Sequence, residues 1–530
     1  MSQDANPDRA HVLVVGAGPT GLLLAAELQR RGVQCNLIEA LSGPLHWDRA
    51  TVVHPRSLEL FESLGLVEKF LEAGTRQRGV KVHSAGQLLG SMDMATCGSI
   101  YGFNLCMSEE VTESILTEYL YSQGGKVNRS SRLIGLTPHA RGVRAEIERE
   151  GMRYHLDADW VVGCDGIHSP TRELSGIGFE GHDIVKPWAV FDVTLQGWGN
   201  TFDTIFVYLD TLPVILTVLP GRRWRVYLRP SSAESDLVAD AAATIRIYEP
   251  TVTFVDVENP TRFQCHTKVA SRFRSGRVLL AGDAAHLCSP AQGHGMNSGL
   301  QDASNLAWKL ALVCKGDAAP ALLDSYESER RPIAEMITQS GDAVEQAQSI
   351  TDPAEREIRD RAMRAELAEA RGRRHEVVAE AELNVEYPRS PIVIGDASTM
   401  LAPGQRLPDT IEIETHGKSR RLHELTHRAG HTLLLIGGVA TQARELEKVF
   451  SDIQELIIDS TLIEAAFAFT SREGLPDRIR RIAREAAEML GVERITLFAV
   501  RPDGYVGMRS DRDHADALER YRALIQTGRC

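Results

Sequence analysis

A glycine-rich turn near the start of the chain joins an apolar run to a helical pattern. The turn reads Gly16-Ala17-Gly18-Pro19-Thr20-Gly21; the strand-like run 11–15 precedes it and the helical pattern 18–31 overlaps it. A second apolar run, 35–39, completes a strand–turn–helix–strand unit, which is typical of parallel sheets. This order predicts an α/β fold built on a parallel sheet.

The glycines of this turn have the roles that a bound pyrophosphate requires. Gly16 makes the tight turn, Gly18 lets the backbone approach the phosphates, and Gly21 lets the helix pack closely on the strand. The phosphates then lie at the helix N-terminus, where unpaired N–H groups and the helix dipole favour an anion. Glu39, followed by Ala40, ends the second run, where a carboxylate binds the ribose of an adenosine. The pattern therefore predicts a dinucleotide site that prefers FAD or NAD to NADP.

Two later apolar runs also end in polar residues. The run 160–163 leads into Asp165-Gly166, which on its own is equally consistent with an Asx turn after a strand. The run 278–281 leads into Gly282-Asp283, and this places the carboxylate of Asp283 where it can accept hydrogen bonds from a polyol.

A loop and a helix follow Asp283. The loop contains Pro290, Gly293 and Gly295, and the helix is predicted to begin near Met296-Asn297. The N–H groups at such a helix start favour a negative partner, and a reduced flavin is one.

Composition excludes several classes of protein. Lys and Arg total 59 and Asp and Glu total 72, so the net charge is −13, which disfavours nucleic acid or an anionic membrane as a partner. No apolar run reaches the length of a membrane span, and the first nine residues are too polar for a signal peptide. The eight cysteines are scattered without a CxxC, so no zinc ribbon, dithiol or other metal site is predicted. A cytoplasmic protein is expected.

The rest of the chain predicts two further sheets. The runs 189–195, 204–209, 214–219 and 224–228 indicate an antiparallel sheet inserted into the first domain. Helices are predicted over 296–313 and 318–348, and the charged segment 352–386 is interpreted as a solvated helix rather than a partner-binding surface. After Pro388, the runs 431–436, 454–458 and 495–500 predict strands of a small α/β domain that closes with a helix over 513–525.

Together these motifs resemble the class A FAD-dependent aromatic hydroxylases of the para-hydroxybenzoate hydroxylase type. The similarity covers nearly the whole chain and is greatest to the long members, the group of phenol 2-monooxygenase, pentachlorophenol 4-monooxygenase and the polyketide hydroxylases. It implies a split Rossmann-like FAD-binding domain, an inserted antiparallel-sheet substrate domain and a thioredoxin-like C-terminal domain, here without CxxC. The expected bounds are 1–178 with 272–390, 179–271 with part of 80–106, and 391–530.

The resemblance also implies roles for individual residues. The glycine turn and Glu39 would hold the ADP half of FAD, Asp165-Gly166 would serve FAD and the nicotinamide cofactor, and Asp283 would bind the ribityl chain. The segment from Gly293 to Asn297 would contact the flavin ring. Arg49 would flank the flavin and Pro290 would lie near the reacting oxygen. The positions expected to act in catalysis are Arg49, Pro290 and His294.

The phenol's base and the substrate contacts are less defined. His54, His286 and His294 are candidates for the base because they lie near the motifs, and the alternative for each is a structural role. The side chains expected to line the substrate pocket, with plain sheet core as the alternative for each, are Trp188, Phe206, Tyr208 and Tyr227.

The implied reaction is hydroxylation of a phenolic or polycyclic aromatic substrate, either a small aromatic or a polyketide. NADH or NADPH would reduce FAD, and O₂ would add to give a flavin C4a-hydroperoxide that the aromatic ring attacks. One position departs from the family, since Glu109 stands where a glutamine usually touches the flavin. Baeyer–Villiger oxygenation on the same fold and a non-catalytic flavoprotein that sequesters an intermediate stay open, whereas no WxW of a flavin halogenase occurs. The C-terminal domain is interpreted as either a packing module or a dimer module, and the latter would give a homodimer.

Overall fold

The computed structural model describes residues 9–44, 50–415, 418–472 and 478–528. The chain divides into two compact units. The first unit contains the described parts of Met1–Ala25, Asn36–Ala303 and Ile333–Asn384, and the second those of Ala26–Cys35, Ser304–Pro332 and Val385–Cys530. None of the helices in the described ranges combines the length and the apolarity needed to cross a membrane.

A largely parallel sheet forms the base of the first unit. Its strands lie in the spatial order Arg274–Ser275, Val278–Leu280, Met152–Gly163, Arg9–Val15, Cys35–Ile38 and Val127–Asn128. The strand Met152–Gly163 runs parallel to both Arg9–Val15 and Val278–Leu280. The side chains of Val12, Leu13 and Val14 are all fully buried, as expected for a strand covered on both faces. An antiparallel ribbon, Ser131–His139 with Gly142–Arg149, extends from Met152–Gly163.

A second sheet of the first unit is mainly antiparallel. Its spatial order is Thr253–Phe263, Trp188–Gln196, Arg223–Leu228, Val214–Leu219, Thr204–Tyr208, Gly79–Ser84 and Gln87–Asp93. The pair Thr204–Tyr208 and Gly79–Ser84 is parallel. Alternate residues of each strand face opposite sides. One face packs on the helix Leu237–Tyr248, and the other belongs to a separate core cluster.

The remaining elements of the first unit are two small sheets and several helices. The small sheets pair Asn104–Cys106 with Val52–Val53 and Thr75–Gln77, and His266–Ala270 with Phe179–Asp183 and His286–Leu287. The segment interpreted as one solvated helix forms two, Pro353–Ala368 and Ala370–Glu380. The other helices that contribute to this unit are Pro19–Arg30, Pro55–Ser63, Val67–Ala73, Glu109–Ser122, Pro170–Leu174, His294–Lys315 and Asp324–Ser349.

The second unit is built on a mixed sheet. The order of its strands is Ile394–Gly395, Val506–Ser510, Ile495–Val500, His431–Gly437, Ile463–Thr470, Ile479–Ile482, Glu412–Thr415 and Lys418–Arg421. Its described helices after residue 390 are Ala443–Leu456, Arg484–Met489 and His514–Thr527. The predicted α/β fold class is confirmed.

The strand predicted over 454–458 is wrong. This stretch ends the helix Ala443–Leu456, and the buried residues Leu446, Phe450 and Ile453 recur every three or four positions, which is the spacing of a helix face. The strand of this region is Ile463–Thr470. A short apolar run at a helix end has the composition of a strand, and only the longer period distinguishes the two.

Candidate active site

One large cavity in the first unit collects most of the predicted site residues. Its volume is about 790 Å³, within the range of small-molecule and cofactor sites. It extends from the parallel sheet to the apolar face of the antiparallel sheet. The predicted residues that line it are Gly16, Gly18, Pro19, Thr20, Glu39, Ala40, Asp165, Asp283, Pro290, Gly293, Gly295, Met296 and Tyr227.

The glycine turn is shaped by two contacts and left open at a third position. Gly16 has φ +99°, and a Cβ there would lie 2.3 Å from the carbonyl oxygen of Cys164. A Cβ at Gly21 would lie 2.0 Å from the carbonyl oxygen of Gly16. A Cβ at Gly18 would meet no described atom closer than Oε1 of Glu113 at 4.0 Å. Gly16 and Gly21 therefore serve the protein's own packing, whereas the space beside Gly18 fits a ligand such as a pyrophosphate.

Glu39 is held at the cavity wall by backbone amides. Its carboxylate accepts hydrogen bonds from the N–H of Ala17 at 2.8 Å and from the N–H of Leu41 at 2.8 Å. These bonds fix the carboxylate beside the glycine turn, where an adenosine ribose would lie in the predicted dinucleotide site.

Asp165 organises the loop that follows the strand Met152–Gly163. Its carboxylate accepts from the hydroxyl of Ser169, from the N–H of Thr171 at 2.9 Å and from the hydroxyl of Thr171 at 2.6 Å. Burial raises the pKa of the Asp165 carboxyl, and these hydrogen bonds oppose that rise. The carboxylate therefore holds the start of the helix Pro170–Leu174, and the loop as a whole lines the cavity.

Asp283 is exposed between the buried residues Gly282 and Ala284 and lines the cavity. The turn that presents it is anchored by Asp302, a fully buried residue with no predicted role. The Asp302 carboxylate accepts from the N–H of Gly282 at 3.0 Å and lies 2.8 Å from Nε2 of His286. His286 is accordingly placed as a support of this turn and is not among the residues that line the cavity.

The helix after the third motif begins at His294, two residues earlier than predicted. Pro290, Gly293, Gly295 and Met296 bring its first turn to the cavity. Asn297 is buried behind this turn. Its side-chain oxygen accepts from the N–H of His54 at 3.0 Å, and its amide nitrogen donates to the carbonyl of Val52 at 2.8 Å. Asn297 thus fastens the helix to the neighbouring strand.

His294 forms a buried pair with Glu382. Its Nδ1 lies 2.9 Å from Oε1 of Glu382, and both side chains are less than one-tenth exposed. The His54 ring lies beside it, tilted by 44°, with Nδ1 3.0 Å from Oδ1 of Asn104 and Nε2 3.2 Å from the carbonyl oxygen of Gln292. The ligand atoms of His54, His294 and Glu382 all lie within 4.8 Å of one another, although the structure already satisfies them with hydrogen bonds. Neither histidine lines the cavity.

The His294–Glu382 pair is expected to make stability depend on pH. Burial alone would lower the pKa of His294, but the hydrogen bond and charge of Glu382 outweigh it and raise the pKa above 6.5. The pair's contribution is therefore complete below about pH 6.5 and is lost as the pH rises through the raised pKa. Thermal unfolding between pH 6 and 9 should show a smaller decline for Glu382→Gln than for the unchanged chain. Parallel declines would contradict this assignment.

The four aromatic residues predicted to line the substrate pocket separate into different environments. Tyr227 lines the cavity, and its hydroxyl lies 3.0 Å from Oγ1 of Thr51. Trp188 is fully buried, and its Nε1 donates to Glu345 at 3.0 Å. Phe206 and Tyr208 do not line the cavity and belong to the opposite core cluster. They alternate with Ile205 and Val207, which do face the cavity, because successive strand residues point to opposite sides.

The sheet face and two helices form the part of the cavity that we call the apolar chamber. It is lined by Val80, Val82, Met92, Ile205, Val207, Ile215, Thr217, Tyr227, Phe263, Val344, Gln348, Glu376 and Glu380. Thr217, Gln348, Glu376 and Glu380 were not predicted as site residues. The two glutamates lie four residues apart on one face of the helix Ala370–Glu380, but this spacing does not distinguish them from carboxylates that face water.

Two predicted positions concern the flavin itself. Arg49 lies outside the described residues. Glu109 lines the cavity, and its Oε2 accepts from the N–H of Ala50 at 3.4 Å. Glu109, which stands in place of the family's usual glutamine, therefore lies on the cavity wall.

Comparisons with known proteins agree with this geometry. The FAD binding domain family matches residues 9–341. Pentachlorophenol 4-monooxygenase of Sphingobium chlorophenolicum is 30% identical over 96% of this chain and 95% of its own length. The 6-methylpretetramide 4-monooxygenase of Streptomyces rimosus is 30% identical over 96% of this chain and 92% of its own length. The solved structure of OxyS anhydrotetracycline hydroxylase from Streptomyces rimosus is similar with a TM-score of 0.77, at 27% identity over 98% of this chain and 99% of that one.

The space beside Gly18 that fits a pyrophosphate is called the cradle below. The match of the family over more than half of the chain and the full-length similarity to named monooxygenases agree with this feature. The resemblance inferred from the motifs is confirmed. The chain belongs to the FAD-binding monooxygenases that include these aromatic and polyketide hydroxylases.

Proposed function

We propose that this enzyme hydroxylates a phenolic or polycyclic aromatic substrate, with bound FAD, a reduced nicotinamide cofactor and O₂. The observation that carries the proposal is the continuity of one cavity, which joins the cradle beside Gly18 to the apolar chamber. A cofactor held in the cradle and an aromatic ring held in the chamber would share one continuous space. The monooxygenases named above, whose names specify aromatic or polycyclic substrates, support the same class of substrate.

The described residues fit FAD. The space beside Gly18 would hold the pyrophosphate, Glu39 the ribose and Asp283 the ribityl chain. Pro290, Gly293, Gly295 and Met296 would lie along the flavin ring. When reduced by NADH or NADPH, bound FAD supplies the electrons that activate O₂ for transfer of one oxygen atom.

The chain's own residues supply position and environment. The valine, isoleucine and phenylalanine side chains of the apolar chamber exclude water from the aromatic ring and favour its burial. The first turn of the helix His294–Lys315 presents N–H groups to the cavity, which favour negative charge there. The Tyr227 hydroxyl, held by Thr51, is a polar group in contact with the chamber.

A product analysis under ¹⁸O₂ tests the function. The FAD-loaded enzyme would be incubated with NADH or NADPH and a panel of phenols, naphthols and polycyclic quinones. We expect substrate-stimulated oxidation of the nicotinamide and a product with one ¹⁸O in a new hydroxyl group. An ¹⁸O in a new ester would instead indicate Baeyer–Villiger chemistry. Tight binding without stimulated oxidation or oxygenated product would indicate a sequestering flavoprotein.

Three broader predictions accompany this function. The domain bounds 1–178 with 272–390, 179–271 with part of 80–106, and 391–530 are supported by the origins of the strands, since the antiparallel sheet takes most of its strands from 188–263 and the rest from 79–93. The cytoplasmic location and the homodimer stay predictions from the sequence. Size measurement of the FAD-loaded protein in solution would test the dimer.

A further inference from the structure

The apolar chamber contains two carboxylates on one helix face. Glu376 and Glu380 lie four residues apart on the helix Ala370–Glu380, and both line the cavity. Like charges at this spacing destabilise a helix. Glu380 accepts from the amide of Asn104 at 3.2 Å, and no ion pair to either glutamate is found among the described residues. The two carboxylates therefore place negative charge beside an apolar space.

Burial makes this charge more costly. Burial raises the pKa of the Glu376 carboxyl, and the neighbouring carboxylates of Glu366 and Glu380 raise it further, while His375 opposes the rise. A cation in the chamber would relieve the repulsion between the two carboxylates. An anion in the same place would add to it.

Two buried polar groups in the chamber wall independently indicate a ligand. Thr217 and Gln348 are 4% and 3% exposed, and both line the cavity. In the described part of the chain, Oγ1 of Thr217 and Oε1 of Gln348 have no hydrogen-bond partner. Buried polar groups are almost always paired, so unpaired oxygens on side chains of the cavity wall are candidates to bind polar substituents of a ligand.

The described basic residues that line the cavity are Arg129, Arg132, His168 and His266, and none of them belongs to the sheet face or the two helices that form the apolar chamber. Arg129 and Arg132 line the cavity next to Ser131, whose N–H bonds the carbonyl of Glu39, and so lie at the cofactor end. His266 also lines the cavity, and its Nδ1 is paired with Asp183 at 2.8 Å.

We propose that the apolar chamber selects an aromatic substrate that carries a protonated amine and disfavours one that carries a carboxylate. Glu376 and Glu380 set this preference, and Thr217 and Gln348 bind neutral polar groups of the same substrate. The inference rests on the proposed function, because it assigns the chamber to the substrate rather than to the cofactor. These four residues are specificity-determining.

The preference can be measured as binding, without turnover. The FAD-loaded protein would be titrated with three hydroxynaphthalenes that differ only in one substituent: aminomethyl, hydroxymethyl or carboxylate. Dissociation constants come from the change in the flavin absorbance spectrum. We expect the aminomethyl probe to bind tightest and the carboxylate probe weakest, with roughly a tenfold or larger difference between them.

Matched variants identify the residues responsible. The double variant Glu376→Gln with Glu380→Gln should bring the three dissociation constants together. Glu357→Gln, which removes one carboxylate from an exposed position paired with Arg361, should keep the wild-type order. Thr217→Val and Gln348→Leu should each weaken all three probes by about threefold to tenfold, since each removes one hydrogen bond, and should leave their order unchanged.

Several outcomes would overturn the proposal. These are equal or tighter binding of the carboxylate probe, no binding of the aminomethyl probe, and an unchanged order in the double variant with intact FAD content. Failure of the proposed function looks different. In that case the three probes still perturb the flavin spectrum with affinities in the expected order, but no aromatic compound of the panel yields an oxygenated product.

Discussion

Replacing Gly18 with alanine is expected to leave the chain folded and to release FAD from it. An added Cβ would meet no described protein atom closer than 4.0 Å, so the native packing can absorb the methyl group. The same methyl group would occupy the space in which a pyrophosphate approaches the backbone. We expect the affinity for FAD to fall by roughly tenfold to a hundredfold, which corresponds to about 1.4–2.7 kcal/mol.

The neighbouring glycines provide the contrast. A Cβ at Gly21 would lie 2.0 Å from the carbonyl oxygen of Gly16, so Gly21→Ala must displace the helix from the strand. In Gly16→Ala the new Cβ would lie 2.3 Å from the carbonyl oxygen of Cys164. The φ angle of +99° adds backbone strain, because alanine rarely adopts this conformation. Each of these two variants should lower the free energy of unfolding by about 1–3 kcal/mol or more even without cofactor.

Two measurements on the apoproteins separate these effects. Thermal unfolding of the apoprotein should be nearly unchanged in Gly18→Ala and clearly lowered in Gly21→Ala. Fluorescence titration with FAD should show weak binding by Gly18→Ala. If Gly18→Ala binds FAD as tightly as the unchanged chain, the turn does not hold the pyrophosphate in the way proposed here.

The glycine turn could be predicted from the sequence because its geometry is local. The turn, the helix and both strands lie within about thirty residues, and the close contact that requires Gly21 is with Gly16 of the same turn. The predicted positions of Glu39 and Asp283 at the cavity follow from the same rule, because both end strands of one sheet. Most of the cofactor-binding positions can therefore be predicted from local sequence patterns.

The substrate half depends on long-range packing. Phe206 and Ile205 are neighbours in sequence, and which of them faces the cavity depends on the side covered by the helix Leu237–Tyr248. Gln348 and Glu376 come from helices more than a hundred residues beyond that strand. No periodicity within the segment 352–386 distinguishes a carboxylate that faces a cavity from one that faces water.

The segment 501–504 is a second region in which burial could not be predicted from the sequence. Its sequence predicts a turn, and the turn forms, but its charged side chains are buried rather than solvated. The Arg501 side chain is fully buried and donates to both carboxylate oxygens of Glu329, at 2.7 and 2.8 Å. Lys309 donates to the same carboxylate at 2.7 Å, and Asp503 also accepts from Arg501. Turn residues are ordinarily exposed, so the sequence contains no sign of this network in the second unit.

Glu329→Gln is expected to be among the most destabilising single changes in the second unit. The change keeps the size of the side chain but leaves the buried charges of Arg501 and Lys309 without their shared carboxylate. Breaking a buried ion pair in this way costs about 3–5 kcal/mol. Chemical denaturation at pH 7 would measure the loss. As the control, Glu488→Gln removes a carboxylate from the exposed pair with Arg484 and should cost under about 1 kcal/mol.

The acid side of the pH profile tests the assignment of charge. Burial alone would raise the pKa of Glu329, but the charges of Arg501 and Lys309 and their hydrogen bonds hold it well below 4.5. The contribution of Glu329 is therefore complete above about pH 4.5 and is lost as the pH falls toward the lowered pKa. The difference in stability between the unchanged chain and Glu329→Gln should shrink with acidification. A constant difference would mean that the carboxylate acts through packing alone.

The alkaline side of the pH profile of stability gives an opposite and independent test, through the titration of Lys309. Burial lowers the pKa of Lys309 to about 8 even with the carboxylate of Glu329 beside it, so loss of that carboxylate lowers the pKa further. The unfolded chain then binds more protons than the folded variant up to the ordinary lysine pKa of about 10.4. Both chains gain stability between about pH 8 and 10.4, so the stability of Glu329→Gln rises relative to the unchanged chain only below about pH 8, between the further lowered pKa of Lys309 in the variant and its pKa in the unchanged chain. The double change Glu329→Gln with Lys309→Met should remove that rise, because no buried amine remains to lose a proton.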